Sequence, residues 1–160
     1  MEKYENLIVV RTFSKSRSMA GARLGFGAGN AKLIRDLNTI KYSTNPYNVN
    51  RMTSAAGIAA LVENEYYMEN CKKIMETREL VKRRLESMGF FVIPSKTNFL
   101  FISHPCIDGS SLYLRLKEKG VLVRHFDKER IRQYNRVTIG TPKQMETFLE
   151  TTKKIMEETP

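Results

Sequence analysis

A single lysine near the start of the chain is surrounded by hydroxyl side chains. Lys15 follows Thr12 and Ser14 and precedes Ser16 and Ser18. Partial removal of a lysine amine from water lowers its pKa, which frees the nitrogen lone pair to add to a carbonyl carbon. Hydroxyl groups beside such an amine can donate hydrogen bonds to a phosphate. These residue types therefore predict carbonyl chemistry beside a phosphate, provided that the loop is partly buried.

Arg23 adds a guanidinium to the same stretch. Its planar fork of N–H groups binds two oxygens of a phosphate or carboxylate at once. The simplest alternative is that Lys15 is a solvated surface residue, which is the usual state of a lysine. The nearby glycines can also be turn residues only, because they form neither a Gly-Lys-Ser/Thr phosphate loop nor the G-x-G-x-x-G dinucleotide pattern.

Two strands are expected to position this loop. The β-branched run Leu7–Val10 predicts a buried strand that leads into it. The small residues Ala20-Gly21-Ala22 predict a turn into a second short strand at about Leu24 to Ala28. The lysine would then lie on a loop that connects two neighbouring strands.

The stretch from Thr12 to Phe26 resembles the cofactor-lysine signature of fold-type I pyridoxal-phosphate aminotransferases. It is most similar to the version in histidinol-phosphate aminotransferases, on the residues Thr12-Phe13-Ser14-Lys15 and Ala20-Gly21-Ala22-Arg23-Leu24-Gly25-Phe26. The resemblance implies that Lys15 forms an imine with pyridoxal 5'-phosphate, and that Thr12, Ser14 and Arg23 hold its phosphate. The intervening Ser16–Met19 differs from the commoner family spelling with Phe and Leu, which leaves the packing of this loop open.

The remainder of the chain alternates helix and strand patterns. Apolar spacing predicts a helix capped by Asn30 and running through Ile40, a second at about Asn50 to Val62, and a third at about Glu65 to Met88 that Gly89 ends. On the third helix, Ile74, Val81, Leu85 and Met88 are expected to form the apolar face, with Arg78, Lys82, Arg83 and Arg84 mostly off it. Further strands are predicted at Phe90–Ile93, Phe99–Ile102, Val121–Val123 and Arg136–Ile139. Asp108 or Ser110 begins a helix that Gly120 ends, and Pro142 fits the first turn of a last helix.

These patterns predict an α/β protein with an α+β small domain, in which a mixed sheet packs against helices. The resemblance implies the C-terminal part of a PLP-dependent transferase fold. Residues 1–45 would be the end of the large cofactor-binding domain, and residues 46–160 the connecting helices and the small domain. Family members are more than twice as long, and their ring-binding aspartate and stacking aromatic have no counterpart before Lys15. We therefore expect a truncated or split protein whose isolated chain lacks activity.

Three residues of the second half match substrate-binding positions of the family. Asn98 heads the strand Asn98-Phe99-Leu100-Phe101, which the resemblance places at the mouth of the active site. Arg136 begins Arg136-Val137-Thr138-Ile139-Gly140-Thr141, and the resemblance implies that it grips the substrate α-carboxylate. Arg124 follows Val121–Val123, at the position implied to hold an anionic tail such as a phosphate. From the residues alone, both arginines are expected on the surface of an edge strand.

The resemblance implies reversible amino transfer in histidine biosynthesis. Histidinol phosphate and 2-oxoglutarate would give imidazole acetol phosphate and glutamate, with Lys15 also moving the α-proton as general base. Its partners would be small-molecule amino and keto acids and, in the full-length enzyme, a second subunit of a homodimer. The alternative within enzymes is a threonine-phosphate decarboxylase, which shares the fold and the motifs.

Charge suggests a different class of protein. The net charge is +10, which can indicate nucleic-acid binding, especially along the helix from Lys72 to Arg84. Against this reading, aromatic residues are not interleaved with the cations as a base-stacking surface requires. Cys71 and Cys106 are far apart, with neither metal-ligand spacing nor a disulfide framework, and no apolar run is long enough to cross a membrane. We expect a cytoplasmic protein that binds no metal, no nucleic acid and no membrane.

The isolated chain is also expected to self-associate. An apolar strand at Leu7–Val10 whose neighbours are absent has an open edge, and open edges favour pairing with another copy of the chain.

Overall fold

A computed structural model describes residues 3–159 of the 160-residue chain. The described residues form two compact units, Met1–Asn70 and Cys71–Pro160. The sequence-based boundary between residues 45 and 46 stays a prediction.

The first unit contains a two-stranded antiparallel sheet and helices. Strands β1 (Ile8–Thr12) and β2 (Gly25–Gly29) pair from Ile8 opposite Gly29 to Thr12 opposite Gly25. A Cβ on Gly25 would lie 2.8 Å from the Arg11 carbonyl oxygen, so glycine allows the two backbones to approach at the loop end of the pair. Helices α1 (Ala31–Thr44) and α2 (Arg51–Val62) follow, and α3 (Asn64–Ser87) begins in this unit.

The predicted strand is confirmed, but its predicted burial is wrong. Val10 is 69% exposed and Val9 is 40% exposed. Within the described residues β1 pairs only with β2, so no strand lies along its other edge to cover the neighbouring side chains. The buried residues of this unit instead lie on the α2 face that carries Thr53, Gly57 and Ala60, and in the loop at Phe13.

The second unit has a single apolar core between a sheet and helices. Its antiparallel strands are β3 (Phe91–Ile93), β4 (Phe99–Ser103), β5 (Arg124–His125) and β6 (Asn135–Thr138), in the order β3-β4-β6-β5. Helices α4 (Gly109–Glu118) and α5 (Pro142–Glu157) complete it, together with the second part of α3. The core side chains are fully or almost fully buried and include Val81, Leu85, Leu100, Ile102, Leu112, Leu116, Val137, Phe148 and Ile155.

The helix ends follow the sequence signals. Asn30, Asn50, Asp108 and Thr141 cap α1, α2, α4 and α5, each by accepting a hydrogen bond from a backbone N–H of the first turn. Gly89 follows α3 with φ +86°, a conformation that glycine adopts without steric cost. Asp108, rather than Ser110, is therefore the residue that starts α4.

Three further sequence predictions are corrected by this fold. The mixture of strands and helices is confirmed, but all strand pairs of the described residues are antiparallel. Val121–Val123 is not a strand, because the ladder to β6 begins only where Arg124 faces Arg136. Arg78 does not lie off the apolar face of α3, since it is only 5% exposed.

Candidate active site

The loop that carries Lys15 is closed around Phe13. The buried Phe13 donates its backbone N–H to the Leu24 carbonyl (3.0 Å) and accepts a hydrogen bond from the Met19 backbone N–H (3.1 Å). Its ring also meets Phe26 edge to face, with centroids 6.4 Å apart. We call the segment Thr12–Arg23 the lysine loop. The Phe13 backbone ties the start of this loop to Met19 within it and to Leu24 directly after it.

Two residues of the lysine loop have an unusual backbone conformation. Ser18 and Arg23 both have φ +55°, and they are the only non-glycine residues between positions 3 and 159 with positive φ. Such conformations are uncommon for residues with a Cβ and often occur at functional sites. The Ser18 backbone N–H donates to the Lys15 carbonyl (3.0 Å), which closes a turn on the lysine, and Arg23 Nη1 donates to the Ala20 carbonyl (3.0 Å).

The four predicted cofactor residues lie in this loop. Thr12, Lys15 and Arg23 are exposed, and Ser14 is half-buried. Among the described residues, neither Lys15 nor Arg23 forms an ion pair. The predicted partial desolvation of Lys15 is therefore not present here, because its turn lies at the surface of this unit.

The second unit presents an aromatic sheet face that carries the two predicted arginines. Side chains alternate along a strand, so Leu100 and Ile102 face the core while Phe99 and Phe101 face the opposite side. Arg136 is paired with Phe101 on β4 and with Arg124 on β5. We call this the arginine face; it comprises Phe99, Phe101, Arg124, Phe126 and Arg136.

One phenylalanine contacts both guanidinium groups. The Phe126 ring centroid lies 5.3 Å from Arg124 Cζ and 5.7 Å from Arg136 Cζ, and the Phe99 centroid lies 5.2 Å from Arg136 Cζ. Arg136 Nε is buried without a hydrogen-bond partner in the described part of the chain, and neither arginine forms an ion pair there. Two neighbouring cations held on aromatic rings, with no carboxylate to neutralise them, suit an anionic ligand.

A cavity of about 450 Å³ opens beside Arg136. It is lined by Phe99, Phe101, Phe126, Ile131 and Arg136, and by the segment Ile93–Thr97. Arg124 and Asn98 do not line it, so only Arg136 of the three predicted substrate residues does. Asn98 is half-buried and its carbonyl accepts a hydrogen bond from the Ile139 backbone N–H (2.9 Å), which ties the start of β4 to the end of β6.

Sequence reasoning missed the residues that hold these side chains. Phe126 lies two positions after Arg124, so it belongs to the same face of an extended segment, and this spacing could have identified it. Arg78 lies four positions after Ile74 and three before Val81, which places it on the apolar face of α3. Its Nη1 donates to the Thr97 carbonyl (2.8 Å), in the wall of the cavity.

Residues 1–151 match the family described as aminotransferase class I and II. The chain belongs to this family. A histidinol-phosphate aminotransferase from Brachyspira hyodysenteriae is 51% identical to it over 156 residues, which are 98% of this chain and 44% of that protein. The chain thus spans less than half the length of such curated relatives.

Solved structures give the same fold. The histidinol-phosphate aminotransferase from Clostridium acetobutylicum has a TM-score of 0.87 at 27% identity, over 98% of this chain and 48% of that one. The enzyme of that name from Sinorhizobium meliloti, in complex with pyridoxal-5'-phosphate, has a TM-score of 0.81 at 26% identity, over 96% of this chain and 42% of that one. L-threonine-O-3-phosphate decarboxylase from Porphyromonas gingivalis, at 22% identity and a TM-score of 0.77, covers 96% of this chain and 47% of its own and shows a shared fold only.

Proposed function

We propose that the chain forms part of a pyridoxal-phosphate-dependent histidinol-phosphate aminotransferase. The observation that carries this proposal is the lysine loop, in which Phe13 ties Thr12, Ser14, Lys15 and Arg23 into one closed segment. The 51% identity to the Brachyspira hyodysenteriae relative supports the same substrate. The substrates would be histidinol phosphate and 2-oxoglutarate, and the products imidazole acetol phosphate and glutamate.

The chemistry of the lysine loop fits the phosphate of this cofactor. Two hydroxyls and one guanidinium supply hydrogen bonds and positive charge to a phosphate dianion. When bound, pyridoxal phosphate supplies an aldehyde that accepts an amine and a ring that accepts an electron pair. The Lys15 Nζ would hold the cofactor and, when free, take up the proton of the substrate α-carbon. Thr12, Ser14 and Arg23 would hold the phosphate.

The arginine face supports binding of substrates with anionic ends. Arg136 lines the cavity and would bind the carboxylate of glutamate or 2-oxoglutarate through its guanidinium fork. Arg124, on the neighbouring strand, would attract the phosphate tail of histidinol phosphate. Asn98 would contribute at the mouth of the site. Phe126 stabilises both cations without neutralising them, so their charge stays available to the ligand.

The location and the assembly state are further parts of the proposal. No helix in residues 3–159 is both long enough and apolar enough to cross a membrane. We place the enzyme in the cytoplasm, as a homodimer that acts on small amino and keto acids.

Nucleic-acid binding is less well supported by the cations of α3. Lys72 lies within 4.0 Å of Glu76, Lys82 within 3.8 Å of Glu86, and Arg84 is paired with Glu146. Cations that already face carboxylates release fewer counterions when they meet a polyanion. A gel-shift titration at physiological salt separates the two classes, since tight sequence-dependent binding of RNA or DNA would contradict the enzyme proposal.

The test of the proposal is complementation with a relative. The chain would be mixed with the portion of the Brachyspira hyodysenteriae enzyme that it does not match, and glutamate formation from histidinol phosphate and 2-oxoglutarate would be followed. We expect turnover from the mixture, none from either part alone, and none from a mixture that contains Lys15→Ala. Turnover of threonine phosphate and not of histidinol phosphate would instead favour the decarboxylase.

A further inference from the structure

We propose that Arg17 is the positioning residue of the Lys15 turn, which it fixes to the start of α3. This inference rests on the proposed function of Lys15. Arg17 lies in the segment Ser16–Met19, which differs from the commoner family spelling. No resemblance assigns a role to it.

Arg17 makes two contacts with α3. Its Nη2 donates a hydrogen bond to Asn64 Oδ1 (2.6 Å), and its Cζ lies 5.3 Å from the centroid of the Tyr67 ring. A guanidinium that is hydrogen-bonded through one nitrogen and lies over an aromatic ring is restrained in its orientation. Asn64 and Tyr67 are separated by three positions on the helix, so they lie on the same side of it.

Arg17 occupies the centre of the turn that presents the lysine. The turn runs from Lys15 to Ser18 and is closed by the Ser18 N–H to Lys15 carbonyl hydrogen bond (3.0 Å). The last residue of the turn, Ser18, has the uncommon φ of +55°. Such a conformation persists only when contacts with the surrounding structure stabilise it. Apart from the hydrogen bonds of the Phe13 backbone, the contacts of Arg17 hold the middle of the loop against a helix.

The side chains suggest why an arginine is used. Arg17 is half-buried, and so is Tyr67, whereas Lys15 stays exposed. A lysine at position 17 would keep the charge but lose both the fork and the planar stack. It would also place a second flexible amine beside Lys15. Arginine therefore anchors the turn and leaves a single reactive amine in it.

The first measurement is hydrogen exchange of the Ser18 amide in the 160-residue chain. We expect Arg17→Lys to accelerate this exchange at least about threefold relative to the Val9 amide of β1, because the closed turn loses its anchor. Asn64→Ala should have the same effect, and the double variant should add little to either. Arg35→Lys is the matched control on the exposed surface of α1 and should leave Ser18 exchange unchanged.

The second measurement is trapping of lysines by pyridoxal phosphate and borohydride. The amine adds to the aldehyde with loss of water, borohydride reduces the resulting C=N bond, and peptide mapping locates the label. We expect the wild-type chain to label Lys15 in preference to Lys32 of α1, and Arg17→Gln, which adds no competing amine, to lower this ratio at least about threefold. Because unfolding would also make the two lysines equivalent, the ratio is compared under conditions in which circular dichroism shows both proteins to be folded.

The outcomes separate the two proposals. Unchanged Ser18 exchange in Arg17→Lys overturns the positioning role and leaves the proposed function intact. An unchanged Lys15 to Lys32 ratio in Arg17→Gln does the same. No preference for Lys15 in the wild-type chain contradicts the proposed function, and Arg17 is then judged by Ser18 exchange alone.

Discussion

The proposed binding of anionic ligands depends on single side chains, and Arg136, which lines the cavity, is the clearest example. Residue types alone could not distinguish it from a surface arginine. The sheet order does, because β6 lies between β4 and β5 and Arg136 is therefore on an interior strand. The Phe126 contact depends on a short strand, β5, whose position the sequence predicted three residues too early. Motif spacing thus predicted candidate site residues, whose roles stay predictions, whereas their supporting contacts depend on strand register.

The first prediction concerns the carboxylate ligand of Arg136. We expect Arg136→Gln to weaken binding of 2-oxoglutarate to the chain about tenfold or more, since a hydrogen bond to a charged group contributes about 1.5–3 kcal/mol. Titration followed by amide chemical shifts of Phe99 and Phe101 measures it. Arg130→Gln, at an exposed position outside the cavity, is the control. Equal affinities of the Arg136 and Arg130 variants would show that the arginine face is not the carboxylate site.

At the scale of elements, the helix ends and most of the strands were predictable because their signals are local. Asn30, Asn50 and Pro142 start helices through their own side chains or ring geometry. The prediction for Arg78 was wrong. A charged residue was expected on the exposed side of α3, although its spacing from Ile74 and Val81 places it on the apolar side. Only the packed structure shows that the Thr97 carbonyl lies beside the buried guanidinium and accepts a hydrogen bond from it.

The second prediction concerns this buried arginine. We expect Arg78→Met to lower the free energy of unfolding by about 1–3 kcal/mol, because the Thr97 carbonyl loses a charged donor. Arg83→Met on the exposed side of the same helix should change it by less than about 0.5 kcal/mol. Urea unfolding of both variants measures the difference. If Arg78→Met lowered the free energy of unfolding as little as Arg83→Met, the hydrogen bond from Arg78 to the Thr97 carbonyl would contribute nothing to stability.

The third prediction concerns the pKa of Asp108. Hydrogen bonds from the Ser111 hydroxyl and then the Ser111 backbone N–H lower this pKa below the ordinary aspartate value. A lowered folded-state pKa adds stability above the unfolded-state pKa, and this contribution disappears as the pH falls through the folded-state pKa. Asp108→Asn keeps a capping oxygen but not the charge.

We therefore expect wild type to be more stable than Asp108→Asn at neutral pH, with a gap that narrows towards pH of about 3. Urea unfolding at both pH values measures the gap, and a constant or widening gap would rule out the charge of Asp108 as its source. Asp108→Ala lacks both the cap and the charge, so it should lose about 1 kcal/mol or more at neutral pH, and this loss should also become smaller at the lower pH.

At the scale of the molecule, the two units differ in how they bury apolar residues. The second unit has a continuous core, so its fold is supported by its own residues. The first unit leaves large apolar side chains exposed, among them Val10, Phe26, Ile40, Met52, Ile58 and Val62. Burial could not be inferred from the β-branched run at Leu7–Val10, because strand propensity does not reveal whether a covering element exists.

The fourth prediction follows from these exposed side chains. We expect the purified chain to self-associate, since exposed apolar surface and the open edge of β1 both favour contact with a second copy. Size-exclusion chromatography with light scattering measures this. A clean monomer at moderate concentration would contradict it, and Val10→Lys should shift the distribution towards monomer if β1 takes part.

A visible absorption titration with pyridoxal phosphate tests whether Lys15 is the cofactor lysine. The acid and the aromatic that the resemblance implies for the cofactor ring have no counterpart in this chain, which should weaken binding by about two to three powers of ten. We predict a weak band that requires high cofactor concentration and is absent from Lys15→Ala. A band of equal strength in Lys15→Ala would contradict the assignment.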